Sequence, residues 1–266
     1  MKLAGTCVVV TGAAGGIGAA LARRFATERP RGIVVSDRDE AGIRAVAREI
    51  GAREIDALAV PCDVTQEAQV RALVDAAEAR FGPIDLFCSN AGVITLGGAE
   101  ASDDDWRLSL DVNVMAHVYA ARILVPAMVE RGGGYLLQTA SAAGLLTQLG
   151  SAPYSVTKHA ALALAEWLAI TYGDQGLKVS VLAPQAVRTA MSAGVVDGGV
   201  AGVDGMLEPE DVADAVVAGL DAESFLILPH PEVLDYFRRK ASDYERWLNG
   251  MRRLQARFGG AGEPQG

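Results

Sequence analysis

Two polar side chains, Tyr154 and Lys158, stand four residues apart at the start of an otherwise apolar stretch, HAALALAEWLAI at 159–170. This spacing places them on one face of a helix. A free phenol has a pKa of about 10, roughly three units too high for proton transfer at neutral pH. A lysine charge at about 4 Å, with an effective dielectric of about 20, supplies the roughly 4 kcal/mol needed to lower it. The pair could therefore be a general acid/base, although two side chains that only reach for solvent would show the same spacing.

A glycine-rich turn, TGAAGGIG at 11–18, separates a predicted strand from a predicted helix. Gly12 permits a sharp turn, Gly16 allows the backbone to approach a pyrophosphate, and Gly18 allows the helix to pack on the sheet. The helix N-terminus offers free N–H groups and its positive dipole end to phosphates. A purely structural turn is the alternative, but the strand before and the helix after favour a dinucleotide site.

Acidic and small residues close the next predicted strands. Asp37 lies nineteen residues beyond Gly18, where a carboxylate can accept both hydroxyls of an adenosine ribose and repel a 2′-phosphate. This favours NAD over NADP, although the neighbouring Arg38 could pair with such a phosphate. Asp63 could cap the following helix or contact the adenine, or both. The small residues of SNAG at 89–92 would let the chain pass close to a cofactor.

The elements that must position these residues alternate along the chain. Short aliphatic runs predict strands at 7–12, 32–37, 56–63, 85–90, 135–140, 178–184 and 225–229. Helical patterns lie near 16–29, 39–50, 66–81, 102–130, 153–173 and 209–221. This alternation predicts an α/β fold, a single Rossmann-like, doubly wound parallel sheet with helices on both faces, in one domain over 1–258.

Three segments depart from the alternation. Residues 185–207 form a long Gly- and Ala-rich loop, and loops of this length in a compact domain usually serve function, so a substrate loop is expected. Residues 231–258 repeat apolar side chains every three or four positions, which predicts an amphipathic helix or helix pair packed on the domain or on another subunit. The tail 259–266 is predicted to be disordered.

Composition excludes several classes of function. The chain has 266 residues and a net charge of −9, which argues against a nucleic-acid partner. The sequence shows neither an apolar run of the length expected for a membrane span nor the organisation of a signal peptide, so a cytoplasmic protein without a membrane partner is expected. Three separated cysteines indicate reduced thiols, and three scattered histidines argue against a metal site.

The chain resembles the short-chain dehydrogenase/reductase family from residue 5 to about 190, because seven features match the family pattern in order and spacing. They are TGAAGGIG, Asp37, Asp63-Val64, NAG at 90–92, Asn113, Ser141 and YSVTK at 154–158. The resemblance implies that Tyr154 is the general acid/base, with Lys158 as its electrostatic partner and as a ligand of the nicotinamide ribose. It also implies that Ser141 hydrogen-bonds the substrate oxygen and that Asn113 holds a water that links Lys158 to solvent.

The same resemblance implies a set of cofactor contacts and no metal. The expected contacts are Gly12, Gly16, Ile17, Gly18, Asp37, Arg38, Asp63, Val64, Asn90, Ala91, Gly92, Tyr154, Lys158, Pro184, Val187 and Thr189. One position departs from the family pattern, because Gln185 follows Pro184 where a glycine is usual. Gln185 could reshape the nicotinamide wall or reach the substrate.

The residues expected around the substrate are almost all apolar. They are Val93, Ile94, Leu96, Ala142, Ala143, Leu145, Leu146, Leu149, Met191, Val195, Val196 and Met206, with Arg188 as the only cation expected nearby. An uncharged, apolar secondary alcohol or ketone is therefore the expected substrate. Lid residues that are apolar only because they pack on closure would give the same composition.

The resulting prediction is an oxidoreductase, with NAD preferred, that interconverts a secondary alcohol and a ketone by hydride transfer. A non-catalytic NAD-binding sensor or scaffold on the same fold is the alternative, and an epimerase or dehydratase is a third reading. The complete set of Asn113, Ser141, Tyr154 and Lys158 favours the enzyme. The resemblance further implies a homodimer or homotetramer formed through the helices at 102–130 and 153–173.

Overall fold

The computed structural model describes residues 1–258, and the predicted disordered tail at 259–266 lies outside the described residues. Seven parallel strands form one sheet in the order β3-β2-β1-β4-β5-β6-β7. The strands are β1 Cys7–Thr11, β2 Gly32–Asp37, β3 Ala57–Pro61, β4 Leu86–Ser89, β5 Gly134–Thr139, β6 Leu177–Leu182 and β7 Leu226–Ile227. All seven predicted strands are confirmed, and most are shorter than their apolar runs.

Ten α-helices connect and extend these strands within residues 1–258. They are α1 Gly16–Ala26, α2 Glu40–Gly51, α3 Glu67–Phe81, α4 Asp103–Leu110, α5 Ala116–Glu130, α6 Ala143–Leu146, α7 Ala152–Tyr172, α8 Pro209–Asp221, α9 Glu232–Ser242 and α10 Tyr244–Phe258. The amphipathic segment at 231–258 is therefore a pair of helices. Asp243 separates them with an extended backbone.

The sheet is buried on both faces, as its uninterrupted aliphatic strands require. Side chains from α1, α2 and α8 pack on one face. Side chains from α3, α5 and α7 pack on the other. A smaller apolar cluster joins α6 and the end of β6 to α9 through the fully buried Val233.

The order of the strands places a ligand site at one point of the sheet. The chain winds outward from β1 to β2 and β3, and then returns to the other side of β1 with β4. The connections that leave β1 and β4 diverge, which opens a crevice at their carboxyl ends. Because the strands are parallel, their carboxyl ends lie at one edge of the sheet, together with the predicted site residues that end or follow them.

The continuous helix Asp103–Glu130 is long and apolar enough to cross a membrane by length and composition. It contains α4, a π-helical turn at Asp111–Met115, and α5. Half of its most apolar window is buried inside the fold. Its buried side chains, among them Leu124 and Met128, belong to the core beneath the sheet. We therefore interpret it as a core helix.

Candidate active site

The start of α7 positions Tyr154 and Lys158, the predicted acid/base pair. Ser151 caps the helix, its side chain accepting a hydrogen bond from the backbone N–H of Tyr154. One turn later, Lys158 is 2% exposed and its Nζ donates to the carbonyl oxygen of Thr139, at the end of β5, over 2.9 Å. The Lys158 Nζ lies 5.6 Å from the centre of the Tyr154 ring. Both side chains line one large cavity.

Burial controls the proton affinity of both groups. Burial raises the pKa of the Tyr154 phenol above its ordinary value, and the hydrogen bond with Ser141 offsets part of that rise. Burial also lowers the pKa of Lys158 to about 8. The sequence predicted that Lys158 lowers the pKa of Tyr154, whereas burial of the phenol raises it, because desolvation disfavours the phenolate.

Asn113 lies in the π-helical turn, at the core side of Lys158. Its Oδ1 accepts from the backbone N–H of Val93 over 2.9 Å, and its Nδ2 donates to the Val93 carbonyl at 2.9 Å and to Thr157 Oγ1 at 3.1 Å. A Cβ at Gly92 would lie 3.3 Å from Lys158 Nζ and 3.4 Å from Asn113 Oδ1. Asn113 thus joins the chain after β4 to α7 directly beside the lysine. Such π turns occur frequently at functional sites.

Ser141 follows β5 and is buried at the wall of the cavity. Its hydroxyl accepts from the backbone N–H of Ala143 over 3.1 Å and contacts the carbonyl of Pro184 at 3.4 Å. These contacts orient the hydroxyl next to the Tyr154 phenol. Ser141 and Tyr154 can therefore hold one substrate oxygen between them.

The glycine-rich turn has the geometry that the sequence predicted. Gly12 adopts a positive φ of 66°, and a Cβ there would lie 2.8 Å from the Cα of Ala91. A Cβ at Gly18 would lie 2.1 Å from the Gly12 carbonyl oxygen, so only glycine allows α1 to approach the end of β1. The N-terminus of α1 has no side-chain cap and no acidic residue in its first turn. Its N–H groups are available to an anion.

Asp37 and Asp63 line the end of the cavity beside β2 and β3. Asp37 accepts hydrogen bonds from the backbone N–H groups of Ala14, at 3.3 Å, and Asp39, at 3.1 Å. The sequence allowed Asp63 to cap α3, but it does not do so. Its carboxylate accepts from the backbone N–H and the hydroxyl of Thr65, and Asp63 lies four residues before α3, whose N-cap is Gln66. Asp63 instead closes the turn beside β3.

The side chain of Asn90 joins three strands. Its Nδ2 donates to the Thr11 carbonyl over 3.0 Å, and its Oδ1 accepts from Thr139 Oγ1 over 3.1 Å. Thr11 Oγ1 in turn accepts from the backbone N–H of Asn90 and of Ala91. Sequence reasoning found Asn90 but missed Thr11 and Thr139, because single threonines in strands give no distinguishing signal.

The cavity has a volume of about 2200 Å³. All the residues predicted to contact the cofactor line it. Of the predicted substrate contacts, nine line it: Val93, Ile94, Leu96, Ala142, Ala143, Leu146, Leu149, Met191 and Val195. Leu145 packs in the core instead, Met206 lies at a smaller neighbouring cavity, and the side chain of Val196 is outside the described part of the chain.

The loop at 185–207 is closed at its base and folds over the glycine turn. The backbone N–H of Arg188 donates to the Leu207 carbonyl over 2.9 Å, and that of Leu207 donates to Ala186 over 3.1 Å. A Cβ at Gly16 would lie 3.1 Å from a Thr189 methyl carbon. The prediction that Arg188 is the cation near the substrate is wrong, since Arg188 pairs with Glu208 outside the main cavity.

Gln185 lines the same cavity, three residues beyond the end of β6. Its backbone N–H donates to Nδ1 of the buried His230 over 3.2 Å. Its side-chain Oε1 is buried and has no hydrogen-bond partner within residues 1–258. The side-chain amide of Gln185 therefore has a free acceptor beside the cavity, and its contact with a substrate stays a prediction.

The helices α9 and α10 form the outer wall of the cavity, a contribution that sequence reasoning missed. Residues from both helices line it, including Tyr236, Trp247 and Met251. The buried Lys240 anchors α9, and its Nζ donates to the Leu145 carbonyl over 2.6 Å. We call the segment 231–258 the C-terminal arm.

Comparison with known proteins identifies the family. The family model described as short chain dehydrogenase matches residues 6–198. This chain belongs to the short-chain dehydrogenase/reductase family. A 1-deoxy-11-beta-hydroxypentalenate dehydrogenase from Streptomyces exfoliatus is 37% identical over 94% of this chain and 92% of its own length.

Solved structures agree with this assignment. A family member from Burkholderia phymatum in complex with NAD has a TM-score of 0.84, with 30% identity over 92% of this chain and 96% of its own. A 7 alpha-hydroxysteroid dehydrogenase complexed with NADH and 7-oxo glycochenodeoxycholic acid has a TM-score of 0.79, with 28% identity over 85% of this chain and 93% of its own. This short-chain dehydrogenase is thus an NAD(P)-dependent oxidoreductase of alcohol and ketone substrates.

Proposed function

We propose that the protein is a cytoplasmic dehydrogenase that prefers NAD and interconverts a secondary alcohol and a ketone on an apolar carbon skeleton. The observation that carries this proposal is the convergence of Ser141, Tyr154 and Lys158 on one cavity that Asp37 and the glycine-rich turn also line. The similar proteins named above support the reaction class, since their names and ligands contain hydroxy or oxo groups.

In this proposal Tyr154 takes the proton of the alcohol when the substrate is oxidised and returns it when a ketone is reduced. Ser141 holds the same oxygen from the other side. Lys158, fixed by the Thr139 carbonyl, favours the phenolate, and Asn113 keeps the helix that carries Lys158 in register with the chain after β4. A bound oxidised nicotinamide supplies hydride-accepting chemistry and the further positive charge that the buried phenol requires.

The residues at the other end of the cavity fit a dinucleotide without a 2′-phosphate. The uncapped N-terminus of α1 suits a pyrophosphate, and Gly12 and Gly18 leave no space for a Cβ. The Asp37 carboxylate is held at the end of β2 by two backbone N–H groups. It lies where it would accept ribose hydroxyls and repel a phosphate. Arg38 also lines this end, and parallel assays with NAD and NADP measure the preference.

A homo-oligomer is part of the proposal. Large apolar side chains outside the cavity are exposed on α4 and α7: Leu110, Val156, Trp167 and Ile170. The exposed fraction of Ile170 reaches 84%. A second copy packed on these helices would remove them from water.

A non-catalytic sensor is the competing function, and turnover decides between the two. Purified protein would be given a panel of cyclic, aromatic, terpenoid and steroid alcohols with NAD or NADP, and NADH or NADPH formation would be followed by absorbance. We expect turnover with NAD, and a loss of about a thousandfold in kcat for Tyr154→Phe, which should still bind NADH. NADH binding without turnover of any alcohol or matching ketone would favour the sensor.

A further inference from the structure

Four arginines of the C-terminal arm line the same cavity as Tyr154 and Lys158. They are Arg239 on α9 and Arg246, Arg253 and Arg257 on α10. None of the four forms a salt bridge with an acid of the described chain. The two arginines next to them in sequence, Arg238 and Arg252, do not line the cavity. Arg238 pairs with Asp235, and Arg252 donates to Asn249.

This row of cations stands out against the charge of the rest of the protein. The chain carries a net charge of −9, whereas the arm, residues 231–258, has seven Lys and Arg against four Asp and Glu. Asp243 also lines the cavity, but its carboxylate accepts the backbone N–H of Arg246 over 2.9 Å at the start of α10. Asp197, in the loop opposite, is the other acid at this end. The arginine face is therefore a local cationic wall in an acidic protein.

The position of the arm over the site is fixed by contacts with the domain. Val233 is fully buried against α6 and β6, Lys240 reaches the Leu145 carbonyl, and the Tyr236 hydroxyl donates to Asp204 over 2.8 Å. The Tyr236 ring also lies 5.8 Å below the guanidinium of Arg239. These contacts hold Arg239 at the cavity. The arginines of α10 follow it beyond Asp243, and Trp247 of α10 packs against the same apolar cluster as Val233.

We propose that these arginines bind a carboxylate on the substrate, so that the substrate is a hydroxylated or oxo carboxylic acid with an apolar body. The proposal rests on the proposed function and narrows it. The alcohol carbon would lie at Tyr154, the apolar body against Ile94, Leu146 and Met191, and the acid at the arm. A guanidinium offers paired N–H donors to a carboxylate, and filling the pocket removes water from the pair and strengthens it.

This proposal replaces the expectation of an uncharged substrate. That expectation depended on Arg188 as the only cation near the site, and Arg188 lies outside the main cavity. A cationic wall also serves an acidic protein in a second way, because it attracts an anion that the net charge would repel. Affinity for such a substrate should therefore fall as the salt concentration rises.

Matched variants and matched probes test the proposal. The probes are adamantanecarboxylate and adamantanecarboxamide, which share an apolar body and differ in charge, titrated calorimetrically into the protein with saturating NADH. Wild type is expected to bind the carboxylate about tenfold more tightly than the amide. Arg239→Gln/Arg253→Gln should lose this preference, whereas Arg238→Gln/Arg252→Gln, with the same change in net charge at adjacent positions, should retain it.

Other outcomes would overturn the proposal. Equal binding of the two probes by wild type, absence of carboxylate binding, or the same loss in both double variants would each contradict it. A loss of NADH or NADPH affinity in Arg239→Gln/Arg253→Gln alone would assign the arginines to a cofactor phosphate instead. These measurements do not need turnover, so they remain decisive if the alcohol panel fails. Turnover of alcohols without any carboxylate preference would contradict the carboxylate site and leave the dehydrogenase function standing.

Discussion

The catalytic edge of the sheet and the C-terminal arm face each other across one cavity, and they are built in opposite ways. At the edge, Asn113, Thr157 and Lys158 are at most 2% exposed, and each polar group has a named partner. On the arm, α10 has no fully buried residue, and its arginines are exposed. The catalytic edge is a buried, hydrogen-bonded network, whereas the arm is a pair of amphipathic helices anchored by a few contacts.

This difference separates two tasks of an enzyme. Proton transfer requires groups held to within a fraction of an ångström, which a buried network provides. Selection of a substrate requires contacts away from the reacting atoms, and a loosely packed appendage can supply them without disturbing the core. Changes at the edge should therefore alter the rate for every substrate, and changes on the arm should alter the preference among substrates.

The largest expected effect is at the edge. Asn113→Ala leaves the backbone N–H and carbonyl of Val93 without their partners and frees α7 beside Lys158. We expect kcat to fall about a hundredfold for all substrates alike, and the free energy of unfolding to fall by about 2–3 kcal/mol. Steady-state kinetics on several alcohols and urea unfolding would measure the two effects. Asn249→Ala, on the exposed arm, is the control and should change neither by a comparable amount.

If Asn113→Ala changed the preference among substrates without lowering kcat, it would contradict the assignment of rate to the edge and of selection to the arm. In that case the residue would act on the substrate, and the separation between edge and arm would not hold.

A second effect, about 2 kcal/mol, should appear in the pH dependence of stability. Burial lowers the pKa of Lys158 in the folded protein to about 8, below its ordinary 10.5. Below pH 8 the lysine is charged in both states and its burial opposes folding. Between about pH 8 and 10.5 the unfolded chain binds more protons, so this opposition is progressively relieved as the pH rises.

Wild type should therefore gain about 2 kcal/mol of unfolding free energy relative to Lys158→Met between about pH 7 and pH 9.5. Urea unfolding of the cofactor-free proteins at both pH values gives the difference. Lys2→Met, at a lysine that is 78% exposed, is the control and should show no such trend. A constant difference between wild type and Lys158→Met would show that the ammonium is hydrated rather than desolvated.

The sequence predicted the edge well because its information is local. The seven strands follow from short aliphatic runs, and Gly12 and Gly18 are required by contacts within 3 Å that any Cβ would violate. Tyr154, Lys158, Ser141 and Asn113 could be found because motif and spacing resemble a family. Asp63 was ambiguous because capping and turn formation use the same side-chain acceptor, and the choice depends on where α3 begins.

There is a physical reason why the sequence could not predict that the arm forms a wall of the cavity. A repeat of three and four residues shows that a helix has an apolar face, but it does not show which surface covers that face. The docking depends on Lys240 and Leu145, which are far apart in the chain, and on Val233 entering a pocket formed by other elements. For the same reason, the sequence did not show that four arginines of the arm line the cavity.

The smallest expected effect concerns the anchor of the arm. Lys240 Nζ donates to the Leu145 carbonyl from a buried position and lies 3.5 Å from His159 Nε2. Lys240→Met keeps the length and the apolar stem of the side chain but removes the donor, at a cost of about 1 kcal/mol. Hydrogen exchange should speed up in α9 and α10 and stay unchanged in β1 and β4.

The same variant distinguishes a selective arm from a structural one. If the arm selects substrates, Lys240→Met should raise KM several-fold for the bulky alcohols of the panel and leave kcat for small cyclic alcohols within about twofold. Arg238→Met, two residues earlier on the exposed side of α9, is the matched control and should alter neither value. A uniform fall in kcat for small and bulky alcohols, with faster exchange in β4 and α7, would instead show that the anchor supports the catalytic edge. The arm would then be part of the network that positions Lys158, because His159 follows that lysine directly on α7.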